Sequence, residues 1–125
     1  MFPALALTGL IAATPVLADD TDCGAARATL RATHDTHVRT HEAGRRFVAD
    51  HPDDFLCNPL LLPLLRDDAA LFETERTNAV AVKSACAGDQ HFVAEMDDFI
   101  SQLDATQIKA RQAVAAVESN CPAKP

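Results

Sequence analysis

Four cysteines constrain the fold of this chain more than any other feature of its sequence. They lie far apart, at Cys23, Cys57, Cys86 and Cys121. Zinc, haem and thioredoxin-type redox sites use the much shorter Cys-x-x-Cys spacing, so the pattern does not indicate such a site. We therefore expect two structural disulfides, in a fold that brings the α-carbons of each pair to within about 5.5 Å.

The first eighteen residues are typical of a signal peptide. Their apolar run ends in Val16-Leu17-Ala18, a small-x-small pattern directly before two aspartates. The run is shorter than the roughly 20 residues of a membrane span, although it lacks the basic residue that usually precedes such a run. The sequence predicts a signal peptide at 1–18, a single domain at 19–125, and a periplasmic or secreted location, where disulfides persist.

Hydrophobic periodicity predicts three helices, and strand-like alternation is nowhere sustained in the sequence. The predicted helices are 22–50, a segment that starts between Pro59 and Pro63 and ends near Cys86, and 89–120. Asp89 suits the N-cap of the third helix, and Asn58-Pro59 suits the start of the second. Short connections between such helices are typical of antiparallel neighbours, so we expect an all-α, antiparallel three-helix up-down bundle.

This topology selects one of the three possible disulfide connectivities. It places Cys23 and Cys86 at one end of the bundle, and Cys57 and Cys121 at the other. Either alternative would join atoms a helix length apart, about 35–40 Å at 1.5 Å per residue. We therefore expect the bridges Cys23–Cys86 and Cys57–Cys121.

Composition and motifs argue against several classes of function. The chain has 11 basic and 18 acidic residues and a formal net charge of −7, whereas non-specific binding to nucleic acid needs a basic surface. The sequence contains no glycine-rich phosphate loop and no nucleophile with an evident base. We expect a protein that is not an enzyme and whose mature part has no membrane span, and no motif of a known family occurs in the sequence.

Three histidines of the first helix, His34, His37 and His41, are spaced so that their rings share one face. Aligning the helices from the first predicted disulfide places Glu75 opposite His34 and Asp68 opposite His41. The third helix adds polar residues at a similar height, namely Asp98, Asp104 and Gln107. Imidazoles combined with a carboxylate suit zinc, copper or nickel, and bundle cores host such sites. A transition-metal site is therefore one hypothesis for this polar layer.

Three hypotheses about function follow. The leading one is a small exported, non-enzymatic binding module for an unknown protein partner or small ligand. The second is a transition-metal-binding protein that uses the three histidines, with Glu75 or Asp68 completing the site. The third is a pH-responsive, chaperone-like periplasmic protein, in which protonation of the histidines loosens the bundle near about pH 6. In size and class the chain is similar to small disulfide-bonded helical proteins of the bacterial periplasm, including acid-stress chaperones and toxin-immunity proteins.

Overall fold

The computed structural model describes residues 21–121. Within this range the chain forms three α-helices, α1 (Thr21–Asp50), α2 (Leu61–Ala85) and α3 (Gln90–Asn120). The all-α prediction is confirmed, and the helix boundaries agree with the predicted ones to within about two residues. No helix in the described range combines the length and the apolarity needed to cross a bilayer. The predicted signal peptide lies outside the described residues and stays a prediction.

α2 is the central helix of the bundle, because it packs closely against both α1 and α3. All three helices contribute to the main core. Its buried apolar residues are Leu30, Phe72, Ala79, Val82, Cys86, Phe92, Met96, Phe99, Ile100, Leu103 and Ala110. A smaller cluster of Leu61, Leu65 and Val117 lies near the start of α2 and the end of α3. These residues follow the helical spacing that predicted one apolar face on each helix.

Two disulfides close the ends of the bundle, with the predicted connectivity. Cys23 is bonded to Cys86, with α-carbons 4.9 Å apart, and Cys57 is bonded to Cys121, with α-carbons 5.4 Å apart. The bridged residues are separated by 63 and 64 positions. Closing a loop of this length stabilises a fold by about 4 kcal/mol if the bridge acts by restricting the unfolded chain. Each bridge is therefore a large share of the stability of a domain of this size.

The helix starts differ in how they are capped. At α3 the prediction is confirmed, since the Asp89 side chain accepts a hydrogen bond from the backbone N–H of Phe92 at 3.0 Å. At α2 the N-cap is Leu60, which makes no side-chain capping bond. α2 begins at Leu61, inside the predicted range between Pro59 and Pro63, but Asn58 is not its N-cap, which lies two residues later. Asn58 instead accepts a hydrogen bond from the Leu60 N–H, and so stabilises the turn before the helix.

Candidate functional site: a buried histidine–carboxylate cluster

The first disulfide sets the register in which α1 lies against α2. His34 and Glu75 each lie 11 residues from their own cysteine of this bridge, and His41 and Asp68 each lie 18 residues from theirs. Antiparallel helices rise equally per residue, so residues at equal distances from the bridge face each other. The predicted alignment of both pairs therefore agrees with the contacts in the structure.

Five side chains alternate along this interface in the order His34, Glu75, His37, Asp68, His41, and we call them the His–carboxylate cluster. The two oxygens of Glu75 accept hydrogen bonds from Nδ1 of His34 and, at 3.2 Å, from Nδ1 of His37. Nε2 of His37 donates to Asp68 Oδ1 at 3.0 Å. Nδ1 of His41 donates to the same oxygen at 3.3 Å. The structure thus brings together all five residues that the sequence singled out.

His37 is the centre of the cluster and carries a positive charge. Its side chain is 0 % exposed, and both of its ring nitrogens face carboxylate oxygens. An ionised carboxylate accepts hydrogen bonds and donates none, so both nitrogens of His37 carry hydrogen when Asp68 and Glu75 are ionised. Burial lowers the pKa of this imidazole, but the hydrogen bonds and charges of Asp68 and Glu75 outweigh burial and raise the pKa to about 9. His37 is therefore an imidazolium at neutral pH.

The two carboxylates of the cluster, Asp68 and Glu75, are both negatively charged at neutral pH. Burial raises the pKa of Asp68, but hydrogen bonds and charges from His37 and His41 outweigh it and hold the pKa below its ordinary value. The pKa of Glu75 is lowered in the same way, against burial, by His34 and His37. Both acids are therefore ionised at neutral pH, although Glu75 is 0 % exposed and Asp68 is 1 % exposed.

The rest of the environment of His37 is apolar or neutral. Its ring packs edge to face with the ring of Phe72, with centroids 4.2 Å apart. Among the buried residues of α3, Gln107 is the polar one, and it carries no charge. Asp104 pairs at the surface with an arginine of α2, and Asp98 is exposed. Within 90–120, α3 therefore adds no buried charge to the site.

The geometry bears directly on the metal hypothesis. Within residues 21–121, no group of three or more His, Cys, Asp or Glu side chains is arranged to hold a metal ion. The donor atoms are close because they are hydrogen-bonded to one another, and His37 has no lone pair free while both nitrogens carry hydrogen. A metal would have to displace at least one of these protons. Zinc, copper or nickel binding by these residues stays an untested hypothesis, and the raised pKa of His37 argues against it.

Two polar contacts between helices were not anticipated from the sequence. Arg27, which looks like part of a surface basic patch, is 5 % exposed, and its guanidinium lies 5.3 Å from the ring centroid of Phe92 in α3. The signal for its burial was its heptad spacing from His34. In addition, Asn78 of α2 donates a hydrogen bond of 2.6 Å to the Thr33 hydroxyl, and so joins α1 to α2 one turn above the cluster.

Comparison with known proteins adds no relative from which a function could be transferred. No family model matches this chain, and neither does any curated protein or solved structure. The His–carboxylate cluster and the two disulfides are therefore the features of this protein that bear on its function.

Proposed function

We propose that this protein is an exported, non-enzymatic binding module that opens in strong acid and then presents apolar surface to a protein partner. The proposal joins the leading hypothesis from the sequence to the pH-responsive one. It rests on one observation: the fully buried ring of His37 contacts carboxylate oxygens of both Asp68 and Glu75 at the α1–α2 interface. Removal of those two negative charges leaves a buried cation between two helices.

Acid removes those charges in a defined pH range. A carboxylate whose folded pKa is depressed contributes stability that is present above its unfolded pKa, near about 4, and is lost as the pH falls through the folded pKa. Asp68 and Glu75 both belong to this class. His37 keeps its charge there, because its pKa is about 9. Opening is therefore expected below about pH 4, in strong acid.

This range differs from the window near pH 6 that the histidines alone suggested. His37 is already protonated at neutral pH, so acidification through pH 6 adds no charge to it. Its proton holds α1 to α2, since both N–H groups donate to carboxylates of α2. For this residue, protonation tightens the interface, and loss of the carboxylate charges loosens it.

The energies involved are large enough to open an interface. Removing the partner of a buried ion pair costs about 3–5 kcal/mol, because the remaining charge is left unpaired in a medium of low polarity. A whole domain is stable by only about 5–15 kcal/mol. Two neighbouring partners are removed here together. The surface that would be uncovered is apolar, and it includes Leu30 of α1 and Phe72 and Val82 of α2.

The covalent connections support opening without complete unfolding. α1 is tied to the end of α2 by the Cys23–Cys86 bridge, and the segment 51–60 ties its other end to the start of α2. An α1 helix that leaves the bundle therefore stays attached at both ends. Return to neutral pH restores the carboxylate charges, and the tethered helix re-docks at a high effective concentration.

The proposal is tested by measuring surface exposure and binding as the pH falls. We expect Nile red, a neutral dye, to bind the oxidised protein below about pH 4 and not at neutral pH. The far-UV helical signal should be largely retained, and neutralisation should reverse the change. In the same range the protein should reduce light scattering from an acid-denatured test protein such as malate dehydrogenase. If the dye signal is the same at neutral pH and in strong acid, the proposal is wrong.

A pair of variants separates the cluster from general acid denaturation. The triple variant H37L/D68L/E75L replaces the central charges with apolar side chains, a change that is often neutral or stabilising in buried ion networks. We expect it to fold at neutral pH and to lose the acid-induced dye binding. D104N removes a carboxylate from the surface pair between α2 and α3, and it should keep the acid response. An unchanged response in the triple variant would contradict the role of His37.

A further inference from the structure

The two disulfides differ in how well a thiol in solution would reach them. In the first bridge, Cys86 is 3 % exposed and belongs to the main core. In the second bridge, Cys57 is exposed and Cys121 is half-buried. Thiol–disulfide exchange requires a thiolate to reach a sulfur atom directly, so an exposed sulfur favours reduction. Cys23 and Cys121 are both half-buried, so the exposed Cys57 makes the second bridge the more accessible one.

The surroundings of Cys57 also suit the approach of another protein. Cys57 lies in the segment 51–60, between two large exposed apolar side chains, Leu56 at 48 % and Leu60 at 63 %. The neighbouring Phe55 packs against the smaller apolar cluster, whereas Leu56 remains exposed. An exposed disulfide flanked by apolar side chains offers contact area to a protein reductant as well as a reactive sulfur.

The structure beneath this bridge is a separate and smaller cluster. Leu61, Leu65 and Val117 are its buried residues, with Val114 and Cys121 packed against them at partial exposure. Outside the bridge, the end of α3 is joined to α2 by an exposed ion pair of 2.9 Å, formed by Arg66 and Glu118, and such pairs contribute little. This cluster has three buried residues against eleven in the main core, so we expect this end of α3 to open more easily than the part in the main core.

We propose that the Cys57–Cys121 bridge is a reducible disulfide that holds the end of α3 to the segment before α2. A protein dithiol of the Cys-x-x-Cys class reduces it while Cys23–Cys86 stays intact. A thiolate of the dithiol attacks the Cys57 sulfur, and Cys121 leaves as a thiolate and takes up a proton. The second thiol of the dithiol then attacks the mixed disulfide and releases Cys57 as a thiol. Two electrons pass from the dithiol to the bridge, and the dithiol becomes a disulfide. The end of α3 is thereby freed.

The test is graded reduction of the oxidised protein at neutral pH, with thioredoxin and its reductase system or with dithiothreitol as the reductant. Samples are quenched in acid, alkylated and mapped by mass spectrometry. We expect a species alkylated at Cys57 and Cys121, in which Cys23–Cys86 is intact, to form at least about tenfold faster than any species reduced at Cys86. If all four cysteines become alkylated together, or Cys86 reacts first, the proposal is wrong.

Hydrogen exchange tests the structural consequence separately. In the singly reduced protein we expect faster amide exchange in 113–121 and unchanged exchange in 96–103, where α3 packs in the main core. The double variant C57S/C121S should reproduce this pattern without a reductant, and C23S/C86S should not. Unchanged amide exchange in 113–121 after reduction would show that the bridge does not hold the end of α3 in place. The acid response proposed above is independent of this result, because the assay is run at neutral pH.

Discussion

The raised pKa of His37 makes the protein less stable as the pH becomes alkaline. The size of this loss in the free energy of unfolding follows from the pKa. The pKa is about 9 in the folded protein and about 6.5 in an unfolded chain. A group with a raised folded pKa contributes stability that is fully present below its unfolded pKa and is lost as the pH rises through its folded pKa. A difference of about 2.5 units corresponds to about 3 kcal/mol. We expect the free energy of unfolding to fall by this amount between about pH 6 and about pH 9.5.

Urea denaturation followed by far-UV circular dichroism at a series of pH values measures this change directly. The alkaline range is favourable for the experiment because the chain contains no tyrosine and all four cysteines are bridged. Titration of His37 itself should be visible by nitrogen NMR of the imidazole ring. A free energy of unfolding that is constant between about pH 6 and about pH 9.5 would refute the assignment of His37 as a buried imidazolium.

Two variants test whether this pH dependence of stability comes from His37. E75Q keeps the shape of Glu75 but removes one of the two negative charges that face His37, so the pKa of His37 should fall and stability should be lost at lower pH. The variant should also be less stable than the parent at about pH 6, by about 3–5 kcal/mol. H91Q is the matched control, because the His91 side chain is 87 % exposed. It should leave the pH dependence unchanged, and a changed slope there would contradict the assignment to His37.

Three further predictions concern the cap, the core and the metal hypothesis. D89A removes the side chain that caps α3 and should lower the free energy of unfolding by about 1 kcal/mol. A loss smaller than a few tenths of a kcal/mol would mean that the cap is dispensable. F72A empties a site that is 1 % exposed and should cost about 3–5 kcal/mol in urea denaturation; a smaller loss would indicate that the core collapses around it. Calorimetric titration with zinc, copper or nickel at about pH 6 should show no stoichiometric binding, because His37 is fully protonated there. Binding that disappears in H34A/H37A/H41A would instead establish the metal hypothesis.

The sequence carried enough information to predict the register of the cluster. Four widely spaced cysteines in an antiparallel three-helix pattern led to one connectivity, and that connectivity placed Glu75 against His34 and Asp68 against His41. What it did not contain was the direction of each side chain. Whether both nitrogens of His37 face acids depends on side-chain rotamers, which the helical spacing leaves open. The same spacing is compatible with a metal site and with a hydrogen-bonded cluster.

Other differences have a similar origin in side-chain packing and local turns. Asp104 lies at the predicted height but points to an arginine of α2 at the surface, so α3 supplies no acid to the cluster. Arg27 shares a heptad row with His34, yet its burial depends on the ring of Phe92 across the bundle, a contact between α1 and α3 that no local pattern encodes. The turn at Asn58 delays α2 because its side chain bonds to the Leu60 N–H before the helix begins.

The two disulfides interlace along the sequence, since Cys57 lies within the loop closed by Cys23–Cys86, and Cys86 lies within the loop closed by Cys57–Cys121. If oxidation starts while the chain is still being made, Cys23 and Cys57 are available to oxidants before Cys86. An oxidase that joins cysteines in order of emergence would therefore create a bridge that the native protein does not contain. Correct biogenesis requires either helix docking before oxidation or a disulfide isomerase to reshuffle the first bridge.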